Sequence, residues 1–235
     1  MTICIAALAD NGGACVVAAD RQVTVHALSL QFEHSDKKID TLVNGCVVLS
    51  SGDALLAAEV IEKARSVLGG LSHPTIQQMA ECLRDTYMSV HLMRAENVIL
   101  RPRGLTFQEW GGTKIPLQLY IQIDQLLFNF GIGAVEFLVA GIDASGAHIF
   151  RVHYSGIAGG NWLEFCNRLS YRTIGSGLSH AAILLSMENQ NRTLGVGETL
   201  YNVYCAKKNS EVAPGVGPAT DIGHPSGGQD RGNRC

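Results

Sequence analysis

The most evident shortage in the sequence is of charged residues. Asp, Glu, Lys and Arg supply only 17% of the 235 residues, against roughly 25% in an average soluble protein. A lone globular domain exposes more charge than this, so the shortage predicts that part of the surface is covered, as it is between like subunits of an oligomer. The net charge of −3 provides no basic surface for nucleic acid or for an anionic membrane. The 46% of apolar residues excludes a chain that is disordered throughout.

Paired cysteines and long apolar runs are also missing, and we expect no secretory signal. The seven cysteines are odd in number and scattered, and none forms a Cys-x-x-Cys pair. This pattern argues against a disulfide framework or a zinc site and favours a reducing, cytoplasmic location. The first residues carry no basic segment of the kind that opens a signal peptide. The most apolar stretch, residues 120–142, is too polar to span a membrane, because it contains Gln122, Asp124, Gln125, Asn129 and Glu136.

The motifs of several common enzyme classes are absent as well. The sequence contains no Gly-x-Ser-x-Gly, no phosphate-binding loop, no dinucleotide fingerprint and no His-Glu-x-x-His. His148 and His153 lie five residues apart in a predicted strand, so they face opposite sides and do not form a metal-binding pair.

Hydrophobic patterning predicts two groups of strands, each followed by a group of helices. Residues 3–9 and 14–20 form a β-hairpin around Asn11-Gly12, because this dipeptide supplies the positive φ of a tight turn. Strands that are segregated from helices predict an α+β fold, in which two packed sheets lie between two helix layers. The other predicted elements are strands at 46–50, 136–142, 147–153 and 171–174, helices at 53–68 (capped by Asp53), 74–90 (opened by Pro74), 117–130, 179–189 and 197–208, and a loop at 156–160.

Thr2 carries a chemistry that needs no histidine. Methionine before a small residue is usually removed, so the mature chain is expected to begin at Thr2. An N-terminal threonine combines a nucleophilic hydroxyl with a free α-amine, whose unperturbed pKa lies near 8. The amine can serve as the base for the hydroxyl of the same residue at neutral pH.

Six short motifs follow one another along the chain with characteristic spacing. They are Thr2-Ile3, Ala18-Ala19-Asp20-Arg21-Gln22-Val23-Thr24, Lys37-Lys38-Ile39, Ser51-Gly52-Asp53-Ala54, Phe137-Leu138-Val139-Ala140-Gly141-Ile142-Asp143 and Thr173-Ile174-Gly175-Ser176-Gly177. Together, over most of residues 2–221, they resemble the β-type subunits of the proteasome, which belong to the N-terminal nucleophile (Ntn) hydrolase family. The second motif is one residue shorter than the family's. The resemblance implies the family's four-layer αββα sandwich of two packed antiparallel sheets between helix layers, without cofactor or metal.

The resemblance also implies roles for individual residues. Thr2 is the nucleophile, and its α-amine, directly or through water, is the base. Asp20 holds a lysine and orients the threonine, and the charge of that lysine lowers the pKa of the hydroxyl. Lys38 is the expected match, with Lys37 as the alternative, because strand alternation lets only one of the two point inward. Ser176 hydrogen-bonds near the α-amine and helps to position water.

Two further parts of the site follow from the same resemblance. The oxyanion donor of the family is a backbone N–H just before the first helix, which falls at Ser50 and Ser51 here, where the family's glycine is replaced. After its last large helix the family has an acidic residue and a serine. Residues 208–217 occupy that place without a clear Asp-Ser pair, and Glu211 is their only acidic residue, so it is a tentative equivalent.

The chain departs from the family at two places. Residues 100–132 form a longer connection between helix and strand, which indicates a divergent, proteasome-like branch. Asp221 matches the residue that begins the family's last strand, but the Ile-Gly-His-Pro sequence at 222–225 is expected to break that strand. We therefore predict one domain over residues 2–222 and a disordered polar tail over residues 223–235.

The resulting prediction is a cytoplasmic N-terminal threonine hydrolase that assembles with like subunits, as a ring or stacked homo-oligomer. Thr2 would attack a peptide or amide bond of a peptide or protein substrate, form an ester, and be released by water. Two alternatives remain open. A non-catalytic ring or scaffold subunit would need none of Thr2, Asp20 and Lys38. A transpeptidase or ligase would share the acyl-Thr2 intermediate and differ only in the attacking group.

Overall fold

The computed structural model describes residues 2–25, 30–33, 37–112, 115–131, 135–153 and 162–225, so the predicted loop at 156–160 and the tail after residue 225 lie outside it. The strands are β1 (Ile3–Ala9), β2 (Ala14–Asp20), β3 (Gln22–Val25), β4 (Leu30–Glu33), β5 (Ile39–Val43), β6 (Cys46–Gly52), β7 (Val135–Asp143), β8 (Gly146–His153), β9 (Leu163–Phe165), β10 (Tyr171–Gly175) and β11 (Thr220–Gly223). The α-helices are α1 (Ala54–Leu68), α2 (Ile76–Ala95), α3 (Phe107–Gly112), α4 (Leu117–Phe128), α5 (Leu178–Met187) and α6 (Val196–Asn209).

Two antiparallel sheets occupy the centre of the fold. The first sheet has the strand order β10-β1-β2-β11 and the second has the order β5-β6-β7-β8-β9, while β3 and β4 pair separately. The sheets meet through buried apolar side chains that include Cys4 and Leu138. The opposite face of the first sheet, with Ile3 and Ile5, packs on α5 and α6, and the second sheet packs on α1 and α2. The predicted α+β class with two antiparallel sheets is therefore confirmed.

The hairpin of β1 and β2 brings the start of the chain into the middle of the first sheet. Every residue of both strands is buried, because helices cover one face and the second sheet covers the other. Asn11 and Gly12 have the positive φ that the sequence predicts. β1 pairs with β2 on one side and with β10 on the other, in a register that sets Ile3 opposite Gly175 and Cys4 opposite Ala19. The first residues of β1 thus lie between the ends of β2 and β10.

Side-chain caps set the starts of the first two helices. Asp53 caps α1 by accepting hydrogen bonds from the Leu55 and Leu56 N–H groups, as predicted. The start predicted at Pro74 is wrong by two residues. Thr75 and Gln78 form a capping box, so α2 begins only after Thr75.

The long connection after α2 forms a small helical unit of its own. A π-helical turn at Glu96–Leu100 ends α2, and α3 and α4 follow. Ile99, Leu100 and Ile123 are its buried core. Gly111 and Gly112 are the last residues of α3. Within the described ranges, no helix is both long enough and apolar enough to cross a membrane.

The expected loss of the last strand is wrong. Residues 220–223 form β11 and pair antiparallel with β2, with Thr220 opposite Asp20 and Gly223 opposite Val17. Main-chain hydrogen bonding to a strand edge requires no particular side chain, so a Gly-containing segment can pair there. The Asp221 carboxylate accepts two hydrogen bonds from the Arg21 guanidinium, which fixes β11 beside the end of β2. Gly223 therefore belongs to the folded domain and not to the tail.

Candidate functional site

Thr2 lies just before β1 and is buried, and its side chain meets two charged groups. Only 3% of the residue is exposed. Its hydroxyl donates a hydrogen bond to Asp20 Oδ1 and accepts one from Lys38 Nζ. Lys38 Nζ also lies 2.9 Å from Asp20 Oδ1 and donates to the Gln22 carbonyl at 2.6 Å. The hydroxyl, the carboxylate and the ammonium thus form one closed cluster.

Asp20 is held at the end of β2 by backbone donors. The carboxylate is fully buried. Besides Thr2 and Lys38, it accepts hydrogen bonds from the N–H groups of Ile3 at 3.1 Å, Gln22 at 3.2 Å and Gly217 at 3.1 Å. A carboxylate offers about four lone-pair positions, so donors already occupy them. Asp20 is therefore suited to orienting the groups around it.

Lys38, and not Lys37, is the lysine beside Thr2. The Lys38 side chain is 16% exposed, whereas Lys37 is exposed. Lys38 immediately precedes β5 of the second sheet, while Thr2 precedes β1 of the first. The cluster therefore spans the two sheets, and its geometry depends on how they pack.

The turn after β10 supports the main chain of Thr2 from the other side. The Thr2 carbonyl accepts hydrogen bonds from the Gly177 N–H and from Ser176 Oγ, both at 3.3 Å. Ser176 Oγ is equally close to the Pro214 carbonyl. Ser176 was expected near the α-amine, and the structure places its hydroxyl at the carbonyl of the same residue.

Gly175, the last residue of β10, occupies a position that a side chain cannot share. Its φ is +96°, and a Cβ atom there would collide with the carbonyl and the methyl group of Thr2. We expect Gly175→Ala to lower the free energy of unfolding by about 2 kcal/mol or more and to displace Thr2. Chemical denaturation measures the stability effect.

Gly104→Ala is the matched control for the conformational cost alone. Gly104 also has a positive φ, of +71°, but an added Cβ would meet no atom within 4 Å. We expect this variant to lose about 1 kcal/mol. Equal losses in the two variants would contradict the close packing of Gly175 on Thr2.

The predicted oxyanion region, Ser50 and Ser51, lies at the end of β6. The pairing of β6 with β5 stops at Leu49, opposite Ile39, whereas its pairing with β7 continues. Successive N–H groups of a strand point alternately to its two sides. Beyond Leu49, N–H groups on the β5 side therefore have no partner among the described strands. This edge adjoins Lys38, the residue before Ile39, and can present an N–H to a substrate carbonyl.

The Cys4 thiol lies close to the same edge without being a second nucleophile. It donates to the Ser50 carbonyl at 3.4 Å. Burial raises the pKa of Cys4 to about 12, and the neutral thiol is a poor nucleophile. Cys4 instead ties β6 to β1 two residues after Thr2.

Glu211, the tentative acidic residue, belongs to an adjoining ion cluster. It accepts hydrogen bonds from Lys207 at 2.6 Å and pairs with Lys208 at 2.8 Å. Burial acts to raise the pKa of Glu211, but the two lysines outweigh it and hold the pKa below its ordinary value. Glu211 is connected to Asp20 through Lys207 and Gly217, and Asp20 in turn contacts Thr2.

Sequence reasoning missed four groups that support the site. They are the Gln22 carbonyl, the Gly217 N–H, the Lys207 ammonium and the Ser210 hydroxyl, which donates to Ala206 O at 2.8 Å and lies 3.3 Å from Gly177 O. Two of the four are backbone groups, and the residues that carry them give no signal in the sequence. Lys207 was detectable in principle, because it falls on the buried face of a predicted amphipathic helix.

A second hydroxyl–imidazole arrangement lies at the turn between β7 and β8. Ser145 Oγ is 2.7 Å from His148 Nε2. The Asn167 amide accepts from the Ile149 N–H, so its Nδ2 group faces His148 Nδ1 at 3.0 Å and donates to it. With Nδ1 as the acceptor of this bond, Nε2 carries the proton and donates to Ser145, which donates to Asp143 at 2.6 Å. This direction is opposite to the one that activates a serine, so the cluster is a turn-stabilising network.

Comparisons with known proteins add no family assignment. No protein-family model matches the chain, and the search of curated proteins finds no match. The part of the chain that the structure describes contains no group of three or more His, Cys, Asp or Glu side chains suited to a metal ion. The interpretation of the site therefore depends on the geometry around Thr2.

Proposed function

We propose that the protein is an N-terminal threonine hydrolase that cleaves peptide or amide bonds through an ester on Thr2. The observation that carries this proposal is the Thr2 hydroxyl, buried between the Asp20 carboxylate and the Lys38 ammonium next to the start of the chain. A hydroxyl that contacts an ammonium is easier to deprotonate, because the positive charge stabilises the alkoxide. Such activation is what a threonine nucleophile requires.

The proposed reaction uses groups of the site in separate roles. Once Thr2 is N-terminal, its Oγ attacks the substrate carbonyl and its α-amine takes the hydroxyl proton, directly or through water. The proton then passes to the leaving amine, and a C–O ester bond replaces the C–N bond. Water attacks this ester, and the acid product leaves as Oγ regains a proton. Asp20 and Lys38 hold Oγ in place, and an N–H on the open edge of β6, at Ser50 or Ser51, stabilises the oxyanion.

The arrangement of the layers supports assignment to a divergent, proteasome-like branch of the Ntn hydrolases. The two sheets pack against each other, and each carries a helix pair on its outer face, as in the four-layer αββα sandwich of that family. The six motifs that resemble the family supply the other support, since four of them contribute Thr2, Asp20, Lys38 and Ser176 to one place.

The proposal includes assembly with like subunits. The helix pair on the first sheet, α5 and α6, exposes large apolar side chains. Ile183 and Met187 of α5 are 58% and 75% exposed, and Tyr201 of α6 is 66% exposed. Exposed apolar area of this kind is favourable to bury in an interface. Native mass spectrometry should show an oligomer, and a strict monomer would contradict this part of the proposal alone.

Two measurements on the wild-type protein test the catalytic proposal. Intact mass spectrometry should find a mature chain that begins at Thr2. A peptidyl epoxyketone should then form an adduct that peptide mapping assigns to Thr2, because this electrophile reacts with a hydroxyl and an amine of one residue. A mature chain with any residue before Thr2, or an adduct on another residue, would contradict the mechanism. A free Thr2 that remains unlabelled would favour the scaffold alternative.

A further inference from the structure

Lys207 on α6 is a buried charged residue that the proposed mechanism leaves unused. Its side chain is 0% exposed, and lysine is almost never fully buried unless it is paired. Nζ meets three oxygens, those of the Glu211 carboxylate at 2.6 Å and of the Gly217 and Pro218 carbonyls at 2.7 and 2.9 Å. A neutral amine has two N–H donors and an ammonium has three. The three surrounding acceptors therefore match the three donors of an ammonium.

The residues that Lys207 holds lead directly to the cluster around Thr2. The Gly217 N–H donates to Asp20 Oδ2 at 3.1 Å. Gly217 also packs closely on Gln22, whose side chain an added Cβ at Gly217 would strike. The Gln22 carbonyl in turn accepts a hydrogen bond from Lys38. Gly217 thus touches two of the residues that position Lys38.

We propose that Lys207 is a positioning residue of the Thr2 site, whose ammonium clamps the Gly217 and Pro218 carbonyls and so keeps the Gly217 N–H on Asp20. This inference rests on the function proposed above. Lys207 acts through Gly217 and Asp20, and its own hydrogen bonds are made to Glu211 and to the two carbonyls.

Several charged groups surround Lys207 and bear on its protonation. Burial lowers the pKa of Lys207 and the charge of Lys208 acts in the same direction, whereas Glu211 and Asp20 act to raise it. The three acceptors around Nζ favour the ammonium over the neutral amine. The positive charge of Lys207 also acts electrostatically on Asp20, the carboxylate that contacts Thr2.

The test is the kinetics of epoxyketone labelling in Lys207→Met. The maximal labelling rate is expected to fall about 10- to 100-fold, because misplacing a reacting group slightly has effects of this size. The epoxyketone concentration that gives half the maximal rate should stay unchanged, since Lys207 does not contact the substrate. A cation near the Thr2 α-amine favours the unprotonated form of that amine. Without the charge of Lys207, the labelling rate should therefore reach the midpoint of its rise at a higher pH.

Two further variants keep the test decisive. Lys208→Met is the matched control: Lys208 is 39% exposed and contacts Glu211 and Pro218, but not Gly217, so wild-type labelling is expected. Lys207→Gln retains N–H donors for the carbonyls without the charge, and should fold, label slowly and show the same shift with pH. A folded Lys207→Met or Lys207→Gln protein with the wild-type maximal rate and pH profile would overturn the proposal.

The remaining outcomes separate this inference from the proposed function. If both Lys207 variants fail to fold, Lys207 is a structural residue of the core and the inference is rejected. If the wild-type protein is not labelled on Thr2, the proposed function fails, and the role of Lys207 fails with it. If the wild type is labelled and Lys207→Met reacts equally fast, only the role of Lys207 fails.

Discussion

Thr2→Ala is expected to abolish epoxyketone labelling and to reduce amide hydrolysis by about 10³-fold or more. Alanine retains the α-amine but has no atom that can form the ester. Stability should fall by only about 1 kcal/mol, the net contribution of an ordinary hydrogen-bonding group. Lys38 and Asp20 lie 2.9 Å apart, so each keeps its charged partner when the hydroxyl is removed. Labelling followed by mass spectrometry and denaturation by urea measure the two effects.

Thr2→Ser is the control for this prediction. Serine keeps both the hydroxyl and the amine, so labelling on residue 2 should persist. It should be slower, because the threonine methyl packs on Gly175 and helps to fix the side-chain rotamer. Undiminished labelling of Thr2→Ala would place the nucleophile elsewhere. A loss of more than about 3 kcal/mol in Thr2→Ala would assign the hydroxyl a structural role.

Local sequence signals predicted the parts of the fold that local interactions determine. The turn at Asn11-Gly12 and the apolar runs on either side specify the β1–β2 hairpin, whose bounds match the prediction. Asp53 marked the start of α1 because its side chain can cap the helix. By contrast, β11 was missed because its partner is β2, about 200 residues earlier in the chain, and the pairing uses main-chain groups.

The candidate site was predictable only as far as its residues lie in recognisable motifs. Thr2, Asp20 and Lys38 were identified in this way, and the structure brings them together. Strand alternation requires that only one of Lys37 and Lys38 faces the first sheet. It does not determine which of the two does so. The Gly217 N–H reaches Asp20 across 197 positions, and no pattern in the sequence signals that contact. Tertiary packing brings such supporting groups to the site.

Asp20→Ala is expected to have the largest effect on stability of any substitution at the site. It leaves the Lys38 ammonium without its carboxylate and removes the acceptor of the Ile3, Gln22 and Gly217 N–H groups. Breaking a buried ion pair by removing one partner costs about 3–5 kcal/mol. Epoxyketone labelling should be lost, because the carboxylate no longer fixes Lys38 and the Thr2 hydroxyl.

A double variant distinguishes the charge of Asp20 from its shape. Asp20→Asn preserves the volume, but its amide must turn N–H donors toward groups that are themselves donors. Combining it with Lys38→Met removes both charges, and neutral replacement of a buried pair is far less destabilising than loss of one partner. The double variant should therefore be more stable than Asp20→Asn alone while remaining unlabelled. Strict additivity of the two stability losses would show that the pair is not coupled. Labelling of the double variant at the wild-type rate would show that neither charge activates Thr2.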